Sequence, residues 1–122
     1  MDERRRKRLE HLIRNEVEEV IRREVSDPRI GIFSITSVKV TPDVKHAAIT
    51  VSFLGPQEEQ EKALEGIRSA RGFIRHKLSR RLPLRFMPDI SFELDEHAEY
   101  RIEAILAELH REHDEGHQGE TR

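Results

Sequence analysis

Between residues 9 and 25 the apolar side chains fall at Leu9, Leu12, Ile13, Val17, Val20, Ile21 and Val25, and nearly every other position is charged. Steps of three and four lay one apolar stripe along a helix, predicted here from about Glu3 to Glu24. The helix should stop at "SDPR", because Pro28 disfavours helical geometry at Asp27 and Ser26 and Asp27 prefer turns. The period then changes. In "FSITSVKV", Phe33 and Ile35, then Val38 and Val40, alternate with small polar residues, while "AAITVSFL" is rich in β-branched side chains. With Pro42 and Asp43 placed to turn the chain between them, these predict a two-stranded hairpin.

Helical spacing returns after Pro56, where Glu58, Glu59 and Glu61 suit a helix N-terminus and Ala63, Leu64, Ile67, Ala70 and Ile74 continue a stripe. Gly72 interrupts it. A glycine in a helix interior costs about 1 kcal/mol relative to alanine, so a kink or short break is expected there, with a second piece running through Leu78 and Leu82. Pro83 and Pro88 end helix, and "DISFEL" alternates Ile90, Phe92 and Leu94 as a third strand. A last helix is expected in "HAEYRIEAILAELHREH", which carries Tyr100, Ile102, Ile105, Leu106 and Leu109 at helical spacing. The order is α-β-β-α-kink-α-β-α, an α+β domain in which a small sheet is covered on one face by helices. The strand order is left open by this pattern.

Composition narrows the class. A length of 122 residues with 35% hydrophobic and 38% charged content suits one thin core, expected over residues 1–110, with "DEGHQGETR" ending a polar, disordered tail over residues 111–122. Absence of cysteine excludes disulfides and thiolate chemistry. No apolar run approaches the roughly 20 residues of a membrane span, and "MDERRRKRLEHL" lacks a secretory block, so a soluble cytoplasmic protein is expected.

A formal net charge of −2 conceals segregation. From Gly66 to Pro88 there are seven basic residues, Arg68, Arg71, Arg75, Lys77, Arg80, Arg81 and Arg85, and no acid, whereas from Asp89 onward eleven acids face three arginines. The basic stretch points to a polyanion, the bland alternative being a solvated helix face. If it is helical, Leu78 and Leu82 turn inward while Lys77 and Arg80 point away, and arginine forks grip phosphate oxygens. A second cluster, Arg4, Arg5, Arg6, Lys7 and Arg8, opens the first helix or precedes it as an arm. Cations at a helix N-terminus oppose the macrodipole, so phosphate binding is a reason for them to be there.

Catalytic chemistry finds little support. No serine stands in a G-x-S-x-G turn, no phosphate-cradling glycine loop occurs, and paired acids such as Glu18 and Glu19 or Glu58 and Glu59 belong to helical charge patterns. His110, His113 and His117 have the spacing of one helix face, but Gly116 and the polar tail make them solvated residues rather than metal ligands. His46 and His76 fit occasional phosphate or base contacts better than metal ligation. Phe73 and Phe86 flank the basic stretch; core packing is expected of each, with exposure of one as the alternative, which leaves recognition chiefly to backbone and shape. No enzyme, cofactor or metal site is expected.

The runs "SDPRIGIFSITSVKVTPDVKHAAITVSFLG" and "RSARGFIRHKLSRRLPLRFMPDISFELD" resemble the bacterial ribosome-binding factor A family over about Arg4 to Leu109. The likeness is carried by Asp27-Pro28-Arg29, Asp43, Ala47, Gly72-Phe73-Ile74-Arg75, Arg85, Pro88, Phe92 and Asp95. It implies a KH-type fold of the second topology in which an Ala-x-Gly kink, Ala70-Arg71-Gly72, stands where other KH domains have a Gly-x-x-Gly clamp. It also implies a noncatalytic, monomeric factor that binds the RNA of the small ribosomal subunit and assists its late maturation, its RNA processing and growth in the cold. On this reading Lys77, Arg80, Arg81 and Arg85 are the main phosphate contacts, with Arg71, Arg75 and Arg4 to Arg8 in support. The alternative is a module whose basic face meets an acidic protein, and a histidine-tail metal hydrolase is the remotest reading.

Overall fold

A computed structural model of the chain describes residues 2–95 together with residues 106, 107, 109 and 110. Helix α1 spans Glu3–Glu24, as the stripe requires. Asp2 caps it, its carboxylate accepting the Arg5 N–H at 2.9 Å, and Glu3 adds an acid where the macrodipole favours one. The inward stripe is Leu9, Ile13, Val17, Val20 and Ile21, all buried, while Leu12 stays partly exposed.

Strands β1 (Phe33–Val40) and β2 (His46–Phe53) form the expected hairpin, and β3 (Asp89–Leu94) pairs in parallel with β2, giving the order β1-β2-β3. The change of phase between Ile35 and Val38 has a structural cause. Ile35 lies opposite Val51 and Ser37 opposite Thr50, so Thr36 is an extra residue in a β-bulge. The bulge keeps Ile35, Val38 and Val40 on the face that carries Ala47, Ile49, Val51, Phe53, Ile90 and Phe92. Against this face pack α1, α2 (Gln57–Ser69) through Ala63, Leu64 and Ile67, and α3 (Arg71–Arg81) through Ile74 and Leu78. The other face carries polar side chains, among them Thr50, whose hydroxyl meets those of Thr36 and Ser37. This is the α+β, KH-like arrangement the sequence implies.

The helical break falls at Ala70, the first residue of the Ala70-Arg71-Gly72 kink that the family resemblance implies and two positions before the Gly72 that helix propensity alone singles out. Ala70, at φ −93° and ψ 6°, closes α2 by donating its N–H to the Ile67 carbonyl at 3.0 Å, and its own carbonyl starts α3 by accepting the Ile74 N–H at 2.9 Å. Gly72 is an exposed residue inside α3, and a Cβ there would meet nothing within 4 Å. The break is therefore a local 3₁₀-like closure of α2 rather than a consequence of glycine's low helix propensity.

A glycine with a packing reason is Gly66, buried on α2 against the Asp27 carboxylate. Asp27 accepts the Arg29 N–H at 3.0 Å and the Arg29 guanidinium at 2.7 Å, so the Asp27-Pro28-Arg29 turn docks on α2 through a side chain that its own arginine holds. In the hairpin loop the Asp43 carboxylate does comparable work, accepting the Thr41 hydroxyl at 2.7 Å and the Lys45 N–H at 3.1 Å. Of the expected final helix, Leu106, Ala107, Leu109 and His110 are helical and exposed; its remaining residues and the tail from residue 111 lie outside the described residues.

Candidate nucleic-acid interface

Helix α3 presents the basic stretch along a face set by two buried anchors, Ile74 and Leu78, both fully inaccessible. The six cations at and after its start divide into two sets. Arg75 is drawn inward: its guanidinium donates to the Met87 carbonyl at 2.7 Å and the Pro88 carbonyl at 3.2 Å and stands 3.6 Å from the Asp89 carboxylate. It ties the loop between α3 and β3 back onto the helix. Lys77 lies 3.4 Å from Glu24, and Arg81 reaches both Glu24 at 2.9 Å and Glu16 at 3.4 Å, so two of the expected phosphate contacts are ion-paired across the α1–α3 interface. Lys77 thus does not point away from the fold as its helical position predicted. Its side chain is one third exposed (33%) and lies over the Phe73 ring.

The second set is Arg71, Arg80 and Arg85, which are exposed and make no ion pair among the described residues. Arg85 stacks over Phe86 at 5.5 Å from the ring centroid. No acid interrupts the segment that carries them. The carboxylates that reach these cations are Glu16, Glu24 and Asp89; Glu16 and Glu24 sit on another helix, and no local signal in the sequence links them to Lys77 or Arg81.

The N-terminal cluster is helical, not an arm: Arg4 to Arg8 belong to the first turns of α1. Asp2 and Glu3 partly offset it by pairing with Arg5 and Arg6 respectively, leaving Arg4, Lys7 and Arg8 exposed without an ion pair among the described residues. Arg68, counted in the basic stretch, donates to the Phe92 carbonyl at 3.0 Å and so helps hold α2 to β3.

Aromatic placement departs from expectation. Phe53 and Phe92 are core residues at 1% exposure, but Phe73 is 43% and Phe86 77% exposed, each with a cation over its ring. The core above α3 is filled by Ile74, Leu78 and Leu82, which leaves the neighbouring helical position of Phe73 facing out, and Phe86 projects from the loop that Arg75 pins.

His46 is committed to the sheet through Ser91 at 3.0 Å, and His76 is exposed on α3. His110 is exposed, whereas His113 and His117 lie outside the described residues. Among the described residues no cluster of three or more potential ligands could hold a metal ion, and no helix is long and apolar enough to cross a membrane. Between α2 and α3 there is no Gly-x-x-Gly; that pattern does occur at Gly116 to Gly119, in the tail outside the described residues.

Comparison with known proteins gives a single answer. The family model for ribosome-binding factor A matches residues 5–106. A ribosome-binding factor A from Dictyoglomus thermophilum is 45% identical over 106 residues, covering 86% of this chain and 88% of that protein. One from Caldanaerobacter subterraneus subsp. tengcongensis is 42% identical over 108 residues, with the same coverage of 86% and 88%. Among solved structures, a Thermotoga maritima protein assigned as a ribosome binding factor A superposes with a TM-score of 0.67 at 31% identity, covering 73% of this chain and 85% of that one. The Thermus thermophilus ribosome-binding factor A crystal structure gives 0.66 at 22% identity, covering 73% and 93%, a likeness of fold. A Thermus thermophilus homology model fitted into the cryo-EM map of a complex with the 30S subunit gives 0.60 at 23% identity, covering 70% and 90%.

Proposed function

The chain belongs to the ribosome-binding factor A family, and from that premise we propose that it is a noncatalytic assembly factor that binds the small ribosomal subunit through its RNA. It assists late maturation and RNA processing of that subunit, including growth in the cold, and acts in the cytoplasm as a monomer without cofactor or membrane partner. The observation that carries the reading is the run from Arg71 to Arg85, which holds no acid of its own and in which Arg71, Arg80 and Arg85 stand exposed without an ion pair among the described residues. Guanidinium groups so placed are matched to phosphate oxygens, which they can grip through two hydrogen bonds at once.

The partly engaged cations have a different part. Lys77 and Arg81 can exchange Glu24 and Glu16 for phosphates, trading one set of charge-assisted contacts for another, whereas Arg75 keeps the loop in place. Without chemistry of its own, the protein acts by differential affinity: its binding energy favours the RNA conformation that fits this face over those that do not. Support for the subunit as target comes from the Thermus thermophilus relative fitted into the map of a 30S complex.

The test is a salt titration of binding to isolated small subunits. Each phosphate neutralised makes log affinity fall with log salt by roughly 0.7 to 0.9. The double variant Arg71→Ala, Arg80→Ala removes two such contacts and is expected to make the slope shallower by about 1.4 to 1.8 with little change in melting temperature, since both side chains are exposed. An unchanged slope would return the basic stretch to a solvated face. Displacement by an acidic protein but not by ribosomal RNA would favour the protein-binding alternative.

A further inference from the structure

Two of the five phenylalanines leave the core, and both fall in the acid-free segment between Gly66 and Pro88. Phe73 is 43% exposed with the Lys77 ammonium 5.5 Å from its ring centroid; Phe86 is 77% exposed with the Arg85 guanidinium at 5.5 Å. Scattered apolar residues on a surface need no explanation. These differ because each ring is coupled to a cation and both are mounted on one support. Phe73 stands one turn before Lys77 on α3, and Phe86 sits in the loop that Arg75 fastens to the same helix through the Met87 and Pro88 carbonyls.

Each ring keeps part of its surface open to solvent beside a cation, and an exposed aromatic surface beside positive charge fits a nucleobase whose own phosphate lies nearby. Every base has a flat face, but in a duplex it is covered by its neighbours. We propose that Phe73 and Phe86 are each a stacking position for an unpaired base, with Lys77 and Arg85 respectively beside them for the adjoining phosphate, so that the protein takes a single-stranded or looped-out RNA segment in preference to a helix. Arg80, exposed one turn after Lys77 on the side of α3 that carries Phe73, adds a further phosphate contact. The proposal rests on the RNA-binding reading above and specifies the RNA structure it takes. It also replaces the sequence-based expectation that recognition is by backbone and shape.

The experiment uses the full chain and an oligoribonucleotide carrying 2-aminopurine, single-stranded or annealed to its complement. Wild-type protein is expected to bind the single strand more tightly than the duplex and to quench the fluorescent base on stacking. Phe73→Leu and Phe86→Leu keep an apolar side chain and all charges. Each is expected to weaken single-strand binding by about 5- to 150-fold, leave duplex binding within about 2-fold, and leave the salt slope unchanged because no cation is lost. Phe86→Tyr, which retains a ring, restores both affinity and quenching. Leucine variants that bind and quench like wild type, or a wild-type preference for duplex, overturn the stacking site. If wild type still binds small subunits with a steep salt slope, the function proposed above survives that result; if wild type binds neither subunits nor RNA, both fall together.

Discussion

At Gly66 an added Cβ would lie 3.1 Å from Oδ2 and 3.2 Å from Cγ of Asp27, a side chain that three Arg29 donor groups hold in place and that therefore has little room to yield. Gly66→Ala is accordingly expected to destabilise the fold by about 1 to 2 kcal/mol, the overpacking outweighing alanine's better helix propensity. At Gly72 the space is open, and the same substitution is expected to stabilise by about 0.5 to 1 kcal/mol. Gly72→Ala should still weaken subunit association, since the open surface above this residue, next to Arg71, is where an RNA backbone can approach. Paired thermal melts of the two variants, with subunit binding for the second, check both. Arg29 also holds the Asp27 carboxyl at about 2, down from an ordinary 3.8, chiefly through hydrogen bonds from its side chain and backbone. A depressed carboxyl contributes stability that is complete above the ordinary value and is lost as pH falls through the depressed one. The stability gap between wild type and Asp27→Asn is thus expected to be constant near neutrality and to close between about pH 4 and pH 2, as read from denaturant melts at stepped pH. None of this was legible locally: "SDPR" announces a turn, but that the turn lands on Gly66 depends on residues far along the chain.

Helices α1 and α3 meet through charge as well as packing, Glu24 serving Lys77 at 3.4 Å and Arg81 at 2.9 Å. In the proposed function these carboxylates compete with RNA for the same cations. Glu24→Gln should release Lys77 and leave Arg81 held by Glu16 alone, raising subunit affinity severalfold and steepening the salt slope by about 0.7 to 0.9 for the one freed cation, with a stability loss of at most about 1 kcal/mol because the pairs are partly exposed. Weaker binding in a folded Glu24→Gln protein would show instead that Glu24 aims these side chains. The elements themselves were legible, because periodicity is a local property: α1, β1 and β3 follow the apolar spacing, and the bulge at Thr36 left its mark as a change of phase between Ile35 and Val38. Propensity alone points to Gly72 for the break, whereas the helix closes where Ala70 donates back to Ile67, at the start of the Ala70-Arg71-Gly72 kink that the resemblance implies. The exposure of Phe73 has a similar origin. An aromatic at helical spacing reads as core, but Ile74 and Leu78 fill the inward positions.

Charge segregation was the most legible feature of the whole molecule, since counting acids and bases needs no fold, and it survives folding as an α3 face free of acids of its own. The sheet order β1-β2-β3 was not legible, because a crossover through α2 and α3 permits β3 to pair with either hairpin strand; the parallel register with β2 is settled by Ile90 and Phe92 joining Ala47 and Ile49 in one apolar layer. That layer closes within the described residues up to Asp95, and the family match ends at residue 106. A boundary at residue 110, with residues 111–122 as an appendage, is what truncation tests. Residues 111–122 carry four acids and two arginines, so removing them deletes net negative charge from a molecule proposed to approach a polyanion. Long-range repulsion between tail and RNA is screened within roughly 8 Å at physiological salt, which limits the effect. A chain ending at His110 is therefore expected to unfold cooperatively with a melting temperature close to that of the full chain, to bind small subunits with the same salt slope, and to bind equally or slightly more tightly at low salt. A chelator should change neither protein. Co-sedimentation with subunits at stepped salt checks all of this, and loss of association on truncation would place part of the binding surface in the tail, against the division at residue 110.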